Sequence, residues 1–438
     1  MHELENFFNP TSVAVIGASH TPGKVGYVIV DSLKSSFHGK IYPINPSVTE
    51  ILGLPAYTSV NNVTEPIDLA IIAVPAETVN SVLEEVIQHK IKSVIIVSSG
   101  FTGVEDKERY KTLENLIKKS KIRVIGPSSL GTFTSKLDMF FLPRERFKRP
   151  PEGYISFISQ SGSVGAMLLD LISSEGVGIS KFASFGSRSD VSEIELLDYL
   201  GKDLQTRCIA LYIESLKDGK AFIEVAKKVV KTKPIVALKG GKDSAEIYSA
   251  AFKQAGIIEA KTTEELFDFA KVLANQPLPA SKKIAIVTEG SGLGVIAANS
   301  LVSLGLEIAE FSKETVKPFK NLGFTTLPNP VDLGGESNVE RYQKALDAVF
   351  KDKAVAGVIC IPLFQTPSIE DSIVDILRDC KIYGKPLIVC AAGGEHTQKL
   401  SRKLEAVGIP VYQTPERAAK AMSILSKQPV QVPAKAKK

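Results

Sequence analysis

One feature constrains the fold of this chain more than any other: a strict alternation over its first 128 residues. "SVAVIG", "KIYPIN", "DLAIIAVP", "SVIIVSS" and "IRVIGP" are short β-branched runs, and helical patterns lie between them near Val25–Ser35, Thr78–His89 and Lys107–Lys119. Strand and helix alternating in this way build a parallel, doubly wound sheet. The alternation ends near Pro127. The stretch "LPRERFKRPPEG", Leu142–Gly153, is basic and proline-rich and reads as a connector.

Beyond the connector the chain repeats itself. "YISFISQSGSVGAMLLDLISSEGVGI" from Tyr154 matches "KIAIVTEGSGLGVIAANSLVSLGLEI" from Lys283, each a strand, a Ser-Gly turn, a helix and a second strand. Later, "CIALYIE…KPIVALKGGK" matches "VICIPLF…KPLIVCAAGGEH". The expected organisation is an α/β chain of three domains. A Rossmann-like domain over 1–149 is followed by two flavodoxin-like units over 150–278 and 279–427, hinged at "ANQPLPASKK". The tail 428–438, rich in Pro and Lys, is expected to be disordered.

Composition narrows the class. At 438 residues, 44% hydrophobic and 23% charged, the chain resembles a soluble protein of about two to four domains. No apolar run reaches the roughly 18–20 residues of a membrane span, and the acidic start "MHELENFFNP" lacks a signal-peptide core, so a cytoplasmic address is expected. Cys208, Cys360, Cys380 and Cys390 form no CxxC pair and read as buried thiols. The net charge of +5 is spread along helices, against a nucleic-acid stripe.

The glycines carry the first functional signal. "VAVIGASHTPGKVG" leaves the first strand and opens the first helix, where Gly17, Gly23 and Gly26 let backbone approach a ligand and the helix start favours phosphate. The spacing is not G-x-G-x-x-G, and the second strand ends in Asn45-Pro46 rather than the acidic residue that an NAD ribose requires. Nicotinamide is therefore disfavoured, and coenzyme A fits. Three more strand ends feed the same crevice: Val74-Pro75, Ser98-Ser99-Gly100 and Gly126-Pro127-Ser128.

A second signal is "SQSGSVG", which sets Ser161, Gly162 and Ser163 at a helix start, as a phosphate cradle or as an N-cap alone. The copy "TEGSGLG" has Leu293 where the first has Ser163, and is the weaker cradle. Glu214 ends the run "CIALYIE", where its carboxylate could orient a histidine, cap a helix or meet a surface lysine. No G-x-x-x-x-G-K-[ST] loop is present, so a nucleotide would be handled on another chain.

Taken in order, "SVAVIGAS…PGKVGY", "KIYPINP", "DLAIIAVP", "IGPSSLG", "ISQSGSVG", "LYIES", "KPIVALKGG", "AAFKQAGII", "LPNPVDLGG" and "GIPVYQTPERAAKAM" resemble the α subunit of the NDP-forming acyl-CoA synthetases. The likeness is greatest to the ADP-forming acetyl-CoA synthetases, relatives of succinyl-CoA synthetase. The resemblance implies reversible ATP formation from acyl-CoA, ADP and phosphate through an acyl phosphate and a phosphohistidine. It implies CoA contacts at Gly17, Ser19, Lys24, Asn45, Val74, Pro75, Ser98 and Gly100. Phosphate would be held by Ser161, Gly162 and Ser163, with Ser128 and Ser129 as further phosphate contacts on the turn that the acyl and phosphate site uses, and Glu214 would orient the histidine. It also implies an ATP-grasp β subunit holding ADP or ATP with Mg²⁺, in an α₂β₂ assembly.

Two departures stand out. The family turn Gly-Pro-Asn-Cys is "GPSSLG" here, although serine still offers a hydrogen bond. The family's Ser-His-Thr-Gly loop should follow "KPIVALKGG", but the chain runs from "KGGK" straight to "DSAEIY". Two readings stay open on these residues. Either a segment is missing near Lys242-Asp243, or the deletion is real and the chain binds CoA without relaying phosphate, as a scaffold or sensor would. His396 reads as a surface residue at a helix start, and His20 as a neighbour of the CoA loop.

Overall fold

A computed structural model describes residues 3–101, 106–241, 244–321, 329–335 and 337–428. The junction at Lys242-Asp243, the residue His2 and the tail from 429 on lie outside the described residues. The chain divides into two compact units.

In the first unit the opening runs become β1 (Ser12–Ile16), β2 (Lys40–Ile44), β3 (Leu69–Ile72), β4 (Ser93–Ile96) and β5 (Arg123–Ile125). They are parallel, in the order β2-β1-β3-β4-β5. Alternation within each strand explains why the sheet is covered twice. Val13, Val15, Leu69 and Ile71 join a core that includes Ile29 and Leu33 of helix α1 (Val25–Ser36). Ala14, Ile16, Ala70 and Ile72 join another, with Val79 and Leu83 of α2 (Ala76–Gln88) and Leu113 and Ile117 of α3 (Lys107–Ser120). The strand order reverses between β1 and β3, which opens a crevice at their carboxyl ends.

A second sheet in the same unit contains β6 (Gly131–Thr134), β7 (Leu137–Asp138), β8 (Glu152–Ser159), β9 (Ile179–Ser184), β10 (Cys208–Ile213), β11 (Ile235–Lys239) and β12 (Ile258–Ala260). Its order is β12-β11-β10-β8-β9-β6-β7. The hairpin β6–β7 adds antiparallel to β9, so the stretch just after the first sheet is hydrogen-bonded into the second. Helices α4 (Gly162–Glu175), α5 (Glu193–Lys202), α6 (Gly219–Val229) and α7 (Ala245–Ala255) connect its parallel strands. The basic connector is pinned rather than free. Arg149 donates to buried Asp138 at 2.7 Å and to the carbonyls of Leu142 and Phe147, with its guanidinium over Phe140 and Phe147.

The second unit takes in α8 (Thr263–Asn275) from Glu264 on. It comprises β13 (Lys283–Thr288), α9 (Ser291–Ser303), β14 (Glu307–Ile308), α10 (Lys313–Asn321), β15 (Val331–Asp332), α11 (Val339–Lys351), β16 (Gly357–Ile361), α12 (Ile373–Asp379), β17 (Leu387–Cys390), α13 (Glu395–Ala406), β18 (Val411–Tyr412) and α14 (Pro415–Ser426). Its parallel sheet runs β14-β13-β16-β17-β18, with β15 against the end of β13. The repeat is visible down to single bonds. The Gln160 side-chain Oε1 accepts from Glu214 N after β8, and the Glu289 carboxylate accepts from Leu363 N at the same point after β13. All four cysteines are buried free thiols. No described helix is long and apolar enough to cross a membrane, and no metal-binding cluster of His, Cys, Asp and Glu occurs among the described residues.

Candidate functional site

The carboxyl ends of β3 and β4, the turn after β5 and the start of α4 enclose one cavity of about 1200 Å³ in the first unit. It is lined by Val74, Pro75, Ser98 and Gly100 on the first sheet's side, by Ser128 and Ser129, and by Ser161, Gly162, Ser163 and Glu214 on the second's. Gly100, read as a CoA contact, and Ser161, read as a phosphate contact, lie far apart in sequence yet face one space.

The remaining sequence candidates sit behind this wall. Gly17 has φ +88°, and a Cβ there would lie 2.4 Å from Ala73 O and 2.9 Å from Val74 Cγ1. Only glycine lets the first loop press against the strand end that faces the cavity. Asn45 braces that loop, donating to Ala18 O at 2.7 Å and accepting from Ser47 N. Ser19 accepts from Thr21 N, and Lys24 precedes α1 without capping it. Gly17, Ser19, Lys24 and Asn45 are not among the lining residues, whereas Val25 is.

At the turn after β5 the two serines differ. Ser129 is buried, its hydroxyl donating to Ser184 O and accepting from Gly131 N. Its hydrogen is therefore already committed. Ser128 is held at φ +60° by its N–H bond to Ser98 O, and its hydroxyl makes no hydrogen bond among the described residues. The loop after β9 is laced to this turn: Ser187 N donates to Pro127 O at 3.0 Å and Ser189 N to Gly126 O at 3.1 Å. Gly186 approaches so closely that a Cβ would meet Pro127 O at 2.1 Å.

The phosphate cradle has the chemistry of a helix start. Ser161 caps α4 by accepting from Val164 N, and its hydroxyl lies 3.1 Å from that of Ser163. The first-turn amides of Gly162 and Ser163 have no intrahelical acceptor and point their dipoles outward. Gly165 seats the helix on β9, where a Cβ would come within 2.8 Å of the Phe182 ring.

Glu214 stands opposite. Its backbone N–H and that of Ser215 both donate to the side-chain Oε1 of Gln160, at 2.8 and 3.0 Å. Tyr212 donates to Glu214 Oε1 at 3.3 Å. Burial first, then the Glu214 charge, push the Tyr212 phenol above its ordinary pKa, so it stays a donor. Arg188 fixes the next residue, donating to Ser215 O at 2.7 Å and Ser215 Oγ at 2.8 Å. The glycine pair after β11 passes over this group. A Cβ on Gly240 would fall 2.2 Å from Tyr212 Oη, and Gly241, at φ +78°, skirts Glu214. Gln160, Tyr212 and Arg188 escape a motif reading because each acts through another residue. The pairing of β8 with β10 on one side and β9 on the other joins them.

None of the described histidines is part of this wall. His20 and His38 are exposed, His89 is half-buried, and none of them lines the cavity. In the second unit His396 is exposed in the first turn of α13.

Residues 11–134 match the CoA binding domain family, and residues 152–273 match the succinyl-CoA ligase like flavodoxin domain family. The acetate–CoA ligase [ADP-forming] II subunit alpha of Pyrococcus furiosus is 36% identical, over 97% of this chain and 98% of its own. The chain belongs to the ADP-forming acetate–CoA ligase family. The acetate–CoA ligase [ADP-forming] of Methanocaldococcus jannaschii is 40% identical over 97% of this chain, which spans 63% of that longer protein. Among solved structures, a protein of Pyrococcus horikoshii OT3 superposes with a TM-score of 0.89 at 36% identity, covering 97% of this chain and 98% of that one. A Ca. Korarchaeum cryptofilum dinucleotide forming acetyl-coenzyme A synthetase 1, in complex with phosphate and ADP, gives 0.88 at 32%, covering 97% and 96%.

These family relatives carry ligase and synthetase names, and none is named a sensor or scaffold. They also carry more chain. The P. furiosus alignment runs over 452 positions but takes in 97% of 438 residues, about 425, so about 27 positions face no residue here.

Proposed function

We propose that this chain is the CoA- and phosphate-binding α subunit of an ADP-forming acetate–CoA ligase. The observation that carries the reading is the single cavity in which the strand-end wall at Val74, Pro75, Ser98 and Gly100 meets the α4 start and Glu214. An apolar wall suits the pantetheine arm, and the first-turn amides of α4 suit phosphate. The Gly17 loop, backed by Ser19, Lys24 and Asn45, lies beside the same crevice for the nucleotide end of the cofactor. Phosphate held at Ser161–Ser163 would attack the acyl carbonyl, with Ser128 as a donor to the acyl group and the helix dipole stabilising the developing charge.

The relatives' α-subunit naming supports a second subunit, for which an ATP-grasp chain holding ADP and Mg²⁺ is the expected kind. The relay that the resemblance gives to a histidine has no counterpart in Gly240–Ser244. The reading therefore covers acyl phosphate formation in this chain and its use on the partner.

Isothermal titration tests the cavity. CoA and acetyl-CoA should bind the purified chain, whereas NADH should not. NADH binding with no response to CoA would overturn the reading. Mixed with an ATP-grasp subunit of such a ligase, the chain should form ATP from acetyl-CoA, ADP and phosphate.

A further inference from the structure

The geometry points to an acyl-selecting wall in the same cavity. Leu130 and Phe141-Leu142, brought together by the hairpin β6–β7, receive the tail of a short, uncharged aliphatic acyl group longer than acetyl. The inference rests on the reading of the cavity given above and deepens it by naming the class of acyl group and the residues that choose it.

Three observations carry it. The first is register. Phe133 pairs with Asp138 and Thr134 with Leu137, antiparallel. Continued towards the start of β6, that register sets Leu130 opposite Phe141. The stacking of Phe133 on Phe140 and the approach of a Gly131 Cβ to Met139 Sδ at 3.0 Å agree with the continuation. Leu130, Phe141 and Leu142 all line the cavity. The second is place. A Cβ on Gly162 would lie 3.5 Å from Leu130 Cβ, so this wall abuts the α4 start, where phosphate would meet the acyl carbonyl. Ala166, on the next turn of α4, lines the cavity too, and Lys148 N donates to Asp170 Oδ1, which runs the connector beside the same helix. The thioester sulfur arrives from the side of Val74, Pro75, Ser98 and Gly100. The other substituent of the carbonyl carbon, the acyl tail, therefore extends towards Leu130 and Phe141. The third is rigidity. Phe140 O accepts from Ser32 Oγ at 3.0 Å, and Leu142 O accepts from Arg149, which is itself tied to buried Asp138. Phe141 and Leu142 are half-buried, so they offer apolar surface to a ligand from a backbone held on either side.

Aliphatic surface placed against such a wall leaves water, which is worth about fourfold in affinity per methylene. A charged tail gains nothing comparable. The charged side chains among the described lining residues, Glu77 and Glu214, are both acidic. A tail ending in a carboxylate would lose hydration against apolar side chains and face like charge.

Titration calorimetry on the full chain, in buffer without phosphate, tests the wall with CoA, acetyl-CoA, butyryl-CoA and succinyl-CoA. Wild type should bind butyryl-CoA about 15-fold more tightly than acetyl-CoA. It should bind succinyl-CoA at least about tenfold more weakly than butyryl-CoA. Phe141→Ala and Leu142→Ala should each cut the butyryl gain below about fivefold, with affinity for CoA itself changed less than about threefold. Phe141→Leu and Leu142→Val, which keep apolar packing, should lower the gain about twofold, so they decide the matter if an alanine variant does not fold. Four results would overturn the inference while leaving the ligase reading intact: equal wild-type affinity for acetyl-CoA and butyryl-CoA, equal affinity for butyryl-CoA and succinyl-CoA, an undiminished gain in the variants, or a fall in CoA affinity matching that for butyryl-CoA. The last would put these side chains on the pantetheine arm. Failure of wild type to bind CoA at all would overturn both.

Discussion

Ser128 is the residue at which backbone and chemistry compete. Its φ of +60° is a left-handed conformation, which costs a non-glycine residue about 1–2 kcal/mol, although asparagine adopts it readily. The bond from its N–H to Ser98 O and the lacing of Pro127 O to Ser187 hold it there. Ser128→Asn should therefore raise stability by about 0.5–1 kcal/mol, a melting rise of about 1–4 °C for a unit of this size. A lower melting temperature in calorimetry would contradict the assigned conformation. The sequence showed that this turn ends a strand in the crevice. It could not show that Ser129 spends its hydrogen on Ser184 O, because β9 lies more than 50 residues further on. Of the two serines expected at the acyl and phosphate site, Ser129 thus has its hydrogen engaged within the protein.

At the scale of elements, the repeat explains both what was legible and what was not. Apolar periodicity marked β8, β13 and the helices after them, since buried strands and amphipathic helices differ in period. The same signal placed β1 to β5 to within three residues. The hairpin β6–β7 was missed because its strands are four and two residues long and are stabilised by a sheet formed from later sequence. Asp352, the residue that ends α11, is a comparable long-range tie. Its carboxylate accepts from Ser312 N and Ala354 N, each at 2.8 Å, and so joins the start of α10 to the end of α11. Burial alone would raise its pKa, but these amides, with the hydroxyls of Thr315 and Ser312, hold it below the usual carboxylate value. A depressed acid contributes stability that is complete above the unfolded value, about pH 4, and is lost as pH falls through the lower folded value. Asp352→Ala should therefore cost about 2 kcal/mol at pH 6 and much less at pH 2.5. Amide exchange in β16 would measure the difference, and an equal cost at both pH values would refute the assignment.

For the whole molecule, division into two units decides where ligand binding is felt. All the lining residues belong to the first unit, and the second has its own core, from Val287 and Val358 to Leu400 and Val411. A ligand that binds only folded protein adds stability by mass action, about 2.7 kcal/mol at a hundredfold excess over Kd. That energy belongs to whichever structure must open to lose the ligand. With CoA at that excess, amides of β1, β3 and β4 that exchange only on opening of the unit should slow about 100-fold. Amides of β16 and β17 should change less than about threefold. Equal protection in both sheets would mean that the two units open as one. Slowing confined to β16 and β17 would place the ligand in the second unit, and the cavity beside Glu214 would then have no part in binding CoA.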